Sequence, residues 1–311
     1  MLRTFSHQHP QALRGPQLWQ AAQAPDFQWP QHVNLNGCRL SQWPESLRRA
    51  DLHSLSVYDN QLTQIPDWLW TKTSLHTLNL SGNHFAEISP QLGQLRGLNM
   101  LDLGHNKLAA LPDSFADMPN LKFLYVSNNR LASLPESLRS LPNLAYLNVT
   151  DNALTQLPDW LGELPSLTEF RAYNNALTAL PNSLGRLAEL RELHVMNNRL
   201  TQLPTSLGEC RSLREINAQK NSLKALPESI GRLPCLAVLD LRFNDLTALP
   251  ESMRGLSELR FLDLRANRLT EIPDWLPLLP RLEKLDLRWN QLDRVPESVS
   301  EFEERGGVIY L

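Results

Sequence analysis

An asparagine returns every 23 residues over most of this chain: Asn83, Asn106, Asn129, Asn152, Asn175, Asn198, Asn221, Asn244, Asn267 and Asn290. Asn60 stands 23 before Asn83, and Cys38 holds the same place 22 before Asn60, in VNLNGCRLSQWP. A proline column runs beside it, through Pro44, Pro66, Pro112, Pro135, Pro158, Pro181, Pro204, Pro227, Pro250, Pro273 and Pro296. These eleven are half of the 22 prolines; Ser89 fills the one gap, with Pro90 slipped by one. So strict a period leaves few options. Each unit must be one structural element that buries its apolar face only by stacking on its neighbours.

The unit reads L-x-x-L-x-L-x-x-N-x-L-x-x-L-P-x-x-L-x-x-L. The alternation in Leu101-Asp102-Leu103 is a short strand with one face buried and one wet. Stacked units then set parallel strands about 4.8 Å apart, so residues 23 apart become lateral neighbours. In the turn leaving the strand, a buried asparagine amide can bond main-chain groups of adjoining coils, which Cys38 does only weakly. Replacing Asn175 with leucine should cost about 1–3 kcal/mol per orphaned group. Proline followed by an acid, as in Pro135-Glu136, Pro158-Asp159, Pro227-Glu228, Pro250-Glu251 and Pro273-Asp274, predicts a short 3₁₀ or α turn with proline at its first helical position.

From about residue 30 onward this frame resembles the leucine-rich repeat family, and it lacks the glycine that plant-type extracellular repeats place near the proline. It is closer in pattern to Ras-associated leucine-rich scaffolds and to bacterial cytosolic repeat proteins. The resemblance implies an α/β solenoid, a horseshoe with a parallel β-sheet on its concave face and short 3₁₀ or α turns on its convex face. The expected organisation is an N-terminal cap over 1–29, about twelve repeats over 30–304 and a capping strand over 305–311. In the first cap, residues 16–24 read as a short amphipathic helix whose Leu18 and Trp19 cover the first coil. In the last, Val308 and Tyr310 fall 23 after Leu285 and Leu287, preceded by the acidic Glu301, Glu303 and Glu304. Trp68, Trp160 and Trp275, each in a PDWL turn, are expected to pack over the convex side.

Composition bounds the function. Hydrophobic residues make up 42% of the 311, which suits a packed chain, and a net charge of -3 gives no electrostatic reason to expect nucleic acid or an anionic membrane as partner. Three separated cysteines build no disulfide framework, and residues 1–28 hold no apolar run of secretory length, so the expected location is cytoplasmic, with export by a non-classical or type III route left open. No phosphate loop, dinucleotide fingerprint, zinc-protease motif or nucleophile elbow occurs, so neither enzymatic activity nor a cofactor is expected. His53 and His76 stack at the 23-residue step, but no acid or thiol completes a metal shell around them, and no metal site is expected. Cys210 replaces a leucine and reads as a small core residue.

Function then rests on the inner surface, read column by column. Phe123, Tyr125, Tyr146 and Tyr173 gather mid-arc beside Arg171, His194 and Met196, residue types that interface hot spots favour, though aromatics also make good cross-strand pairs. Glu169, Glu192 and Glu215 stack directly, an arrangement unfavourable in itself. Either a basic ligand segment meets them, or Arg171, Arg191 and Arg214 neutralise them. Further on, Asp240, Asp263 and Asp286 interleave with Arg242, Arg265 and Arg288, flanked by Phe243 and Trp289; this is a charge network that serves as a structural stripe or a docking site. The resulting expectation is a non-enzymatic scaffold or adaptor that binds a protein or peptide on its concave face. The alternative from the same resemblance is a secreted bacterial effector acting on host proteins.

Overall fold

The computed structural model describes residues 13–311. Among these, thirteen three-residue strands, from His32–Asn34 to Val308–Tyr310, form one all-parallel sheet whose spatial order is the chain order. Successive strands pair in register at the 23-residue step, as with Tyr146↔Glu169 and Glu169↔Glu192. Most coils return through a five-residue 3₁₀ turn such as Asp159–Glu163 or Thr205–Glu209, but Phe115–Asp117 spans only three residues and the return from Phe261–Asp263 to Lys284–Asp286 holds no helix. The chain is thus the predicted parallel-sheet horseshoe. Its core is a single continuous stack of leucines, with Leu147, Leu193, Leu239 and most others fully buried.

The asparagine column is a hydrogen-bonded ladder. Asn175 Oδ1 accepts the Leu154 N–H at 3.0 Å, and its Nδ2 donates to the carbonyls of Val149, Ala172 and Tyr173 at 3.1–3.2 Å. Asn152 repeats the pattern one coil earlier, and its Nδ2 reaches the same Val149 carbonyl at 3.0 Å. Backbone groups that the bend takes out of the strand ladder are satisfied in this way. Cys38, at the open end, gives only a 3.7 Å thiol contact to the Asn36 carbonyl. Just before each asparagine the chain turns through a left-handed residue, from Asp59 and His105 to Trp289, at φ of +51° to +63° for the non-glycine members.

The prolines sit one position earlier than the sequence pattern predicts. Pro135, Pro158 and Pro204 are extended caps (φ about -70°, ψ near 145°), and their carbonyls accept the first N–H of the 3₁₀ turn. Glu136, Asp159, Glu228 and Glu251 are then the first turn residues, whereas no 3₁₀ turn follows Pro273-Asp274 and the one after Pro112 begins only at Phe115. Only where Ser89 replaces the proline does Pro90 enter the turn, with Ser89 Oγ accepting the Gln91 N–H. From Asp159 to Arg232 neighbouring turns pack closely because Gly162, Gly185, Gly208 and Gly231 sit at their fourth position: a Cβ on Gly208 would lie 2.3 Å from the Ser229 carbonyl oxygen.

The final coil corrects another expectation. Helix α2 (Ser298–Glu304) replaces the 3₁₀ turn and takes one residue more, so the last strand pairs at a step of 24. Ile309, not Val308, occupies the leucine position opposite Leu285, and Tyr310 faces out opposite Asp286. At the other end, helix α1 (Gly15–Ala21) places Leu18 in the core with Trp19 packed beside it. Trp160 and Trp275 are buried under the outer turns, and Trp68 meets Trp43 edge-on at 5.8 Å.

Candidate functional site

Every residue singled out on the inner face lies there, in three outward rows that the strand pleat and the following turn create. One row holds Phe123, Tyr146, Glu169, Glu192 and Glu215; the next Tyr125, Arg171, His194 and Asp240; the third Tyr173, Met196 and Arg242. Mid-arc, the Tyr125 and Tyr146 rings stack at 4.8 Å and 36°. The Arg171 guanidinium lies over Tyr146 at 5.8 Å while its Nε donates to Glu169. His194, only 7% exposed, meets Glu192 through Nε2 at 3.1 Å. Burial pushes the Tyr146 hydroxyl up to about 12, and burial with the nearby Asp102 charge raises Tyr125, so both phenols stay hydrogen-bond donors at neutral pH. Phe123 stands 41% exposed beside this cluster without a ring partner among the described residues.

The glutamate row is not neutralised as the sequence reading offered. Arg171 pairs with Glu169, but Arg191 and Arg214 make no ion pair among the described residues and point into solvent. Glu215 likewise has no cation within ion-pair distance among them. The reason is direction: Arg191 and Arg214 lie one residue before their glutamates, where the pleat turns the side chain away from the row.

The aspartate–arginine stripe is continuous. Arg265 holds Asp263 at 2.6 Å and reaches Asp286 at 3.4 Å, Arg242 pairs with Asp240 at 3.2 Å, and Arg288 pairs with Asp286 at 2.6 Å. Asp286 is almost wholly buried; that burial alone would raise its pKa, but the Arg288 hydrogen bonds and the Arg265 charge outweigh it and hold the carboxyl below its usual range. Because of the slipped register, Tyr310 joins this end, with Arg288 set 4.8 Å from its ring and 5.8 Å from that of Trp289.

The middle row has a second job, not expected from its columns. Asn34, Asn79, Asp102, Asn148, Asp240, Asp263 and Asp286 each accept, through Oδ1, the N–H two residues on. Short polar acceptors close such turns readily, and the sequence shows the column plainly once its geometry is known. Tyr125, Arg171 and His194 give up that bond. Cys210 is fully buried, its thiol pushed up to about 12 by burial, as a core residue.

Fold and surface together define the class: a parallel-sheet solenoid with a graded inner face. The family model described as "Leucine rich repeat" matches residues 73–131, 188–246 and 236–292, and a second, for two copies of the repeat, matches 119–162. The chain belongs to the leucine-rich repeat family. No curated protein sequence matches it. Among solved structures, a leucine-rich repeat protein of Leptospira interrogans aligns over 96% of this chain and 100% of its own at 22% identity and a TM-score of 0.62. A TDR receptor aligns over 86% of this chain at 28% identity and a TM-score of 0.77, and 48% of the receptor is covered. The plant peptide hormone receptor RGFR1, solved in complex with RGF2, aligns over 90% of this chain and 55% of its own at 25% identity and a TM-score of 0.65. Among the described residues no helix is long and apolar enough to cross a membrane.

Proposed function

We propose that this protein is a non-enzymatic scaffold or adaptor that grips a protein or peptide ligand on its concave face, with the centre of contact at Tyr125, Tyr146 and Arg171. The observation that carries this reading is the broken middle row. Seven coils place a turn-closing asparagine or aspartate there, whereas on either side of Asn148 the row changes to Tyr125, Arg171 and His194, which stack or pair with their neighbours, and the next residue in the row, Asn217, leaves its Oδ1 without a partner. Departures from a local rule concentrate at functional sites. Tyrosine and arginine, semi-rigid and amphipathic, are the side chains that supply interface energy.

Two further points support it. RGFR1, whose solved structure contains RGF2, shares this fold at 25% identity. The three cysteines Cys38, Cys210 and Cys235 are unpaired, in keeping with a reducing, cytoplasmic setting. Neither nucleic acid, membrane nor cofactor has a role in this reading. Affinity capture with the purified chain followed by titration of the recovered partner tests it. Tyr125→Ala and Tyr146→Ala should each weaken that partner by about 30-fold, the effect of losing a 2 kcal/mol hot spot. Arg139→Ala, on the convex side, should leave it unchanged. Binding that survives both tyrosine changes places the contact elsewhere.

A further inference from the structure

The parallel register brings together three side chains of metal-ligating types. One ligand atom each from Glu169, Glu192 and His194 lie within 4.8 Å of one another. Glu169 and Glu192 are directly paired on adjacent strands, and His194 follows Glu192 by two residues on the same face. We propose that these three form a binding site for a divalent transition-metal ion, Zn²⁺ being the ion that fits best. This site adjoins the proposed contact surface and shares Arg171 and His194 with it, but binding of the ion requires no partner.

The donor set decides the class of ion. Two carboxylates and one imidazole suit a borderline ion such as Zn²⁺; Ca²⁺ wants six to eight oxygens and a soft ion wants thiolates. Around an ion with bonds of about 2.0–2.1 Å, two tetrahedral ligands stand about 3.3 Å apart. His194 Nε2 and Glu192 Oε2 are already 3.1 Å apart. His194 is nearly buried, so packing fixes its ring before any ion arrives. Arg171 holds Glu169 through Oε1, which orients that carboxylate and leaves Oε2 for the ion, the outer contact that ligating carboxylates ordinarily have. Electrostatics points the same way. Glu169, Glu192 and Glu215 stand in one row, and Arg171 is the only arginine or lysine ion-paired within it among the described residues. A doubly charged ion between the first two turns a repulsive pair into a bound one. Three protein ligands leave a coordination position facing the open inner surface, for water or for a partner's side chain.

Isothermal titration of the chelator-stripped full chain with ZnCl₂ tests the site, with CoCl₂ absorption as a second readout of imidazole and carboxylate ligation. The expected result is one equivalent bound at micromolar or tighter affinity, weakened at least 10-fold by His194→Ala and by Glu192→Gln, with the ligand-field bands of Co²⁺ lost in both. Glu192→Gln is half-exposed and carries the test should His194→Ala disturb packing. The His53→Ala/His76→Ala variant, which removes the edge-stacked histidines at 5.9 Å, should leave the affinity unchanged. The proposal fails if no saturable binding appears below about 1 mM. It fails equally if the His53/His76 change abolishes binding, or if Glu215→Gln weakens it as much as Glu192→Gln, which would mean diffuse acidity without a site.

Discussion

Replacing Asn175 with leucine removes four hydrogen bonds but strands only one group. The Val149 carbonyl keeps Asn152 as donor, the Ala172 carbonyl keeps Asn198, and the Tyr173 carbonyl keeps the Asp151 N–H. Only the Leu154 N–H loses its sole partner. One orphaned buried donor costs about 1–3 kcal/mol, and that is the expected loss. Removing Asn152 as well takes both donors from the Val149 carbonyl. The adjacent double variant should therefore exceed the sum of its singles by about a further 1–3 kcal/mol. Asn129→Leu with Asn175→Leu shares no acceptor, since Asn129 bonds the Leu103, Val126 and Ser127 carbonyls, so that pair should add to within about 0.5 kcal/mol. Urea unfolding followed by far-ultraviolet circular dichroism measures all five variants. Equal coupling in the two pairs, or none in the adjacent one, would refute the shared-acceptor ladder.

Other consequences follow from single contacts. Gly208→Ala should cost about 1–3 kcal/mol in the same denaturation assay, because its new Cβ meets the Ser229 backbone. Asp102 is raised chiefly by burial, so the native state holds its proton more tightly than the unfolded chain does, and its contribution to stability falls as pH rises from the unfolded carboxylate range through the folded pKa. Asp102→Asn keeps the acceptor for the Gly104 N–H and should stabilise the protein at pH 7 by a margin that vanishes in acid, read as melting temperature against pH. Ile309→Asp should loosen the last coil by about 1–3 kcal/mol, whereas Val308→Asp, at an exposed position, should stay within about 0.5 kcal/mol; hydrogen exchange at the C-terminal strand separates the two.

Much of this architecture was legible because the repeat enforces one side-chain direction per column. Knowing that Asn175 and Asn198 share a column is enough to place Arg171 beside His194. Where the period itself changes, a residue's column no longer fixes its direction. Helix α2 lengthens the last return by a residue, and VIYL alternates equally well in either phase, so Ile309 and Val308 exchange faces. Cap position is hidden for a different reason: a 3₁₀ turn can take its first acceptor from proline itself, and residue type does not distinguish that from proline inside the turn. Pairing within the site was the least legible. Column membership put Arg191 and Arg214 near the glutamates, but the pleat directs them away. It also gave no hint that Asp240, Asp263 and Asp286 close their own turns while they bind arginine.

Everything proposed for the inner surface assumes that equivalent residues of successive coils advance by one strand spacing. Spin labels at Met100 paired with Val238 or with Lys284, in a background with the native cysteines replaced, measure this directly by pulsed electron resonance. Six and eight coils at about 4.8 Å each predict label separations near 29 and 38 Å, shortened slightly by the arc. Separations that fail to grow between the two pairs, or broad distributions without a maximum, would contradict the stacked register and the surface built on it.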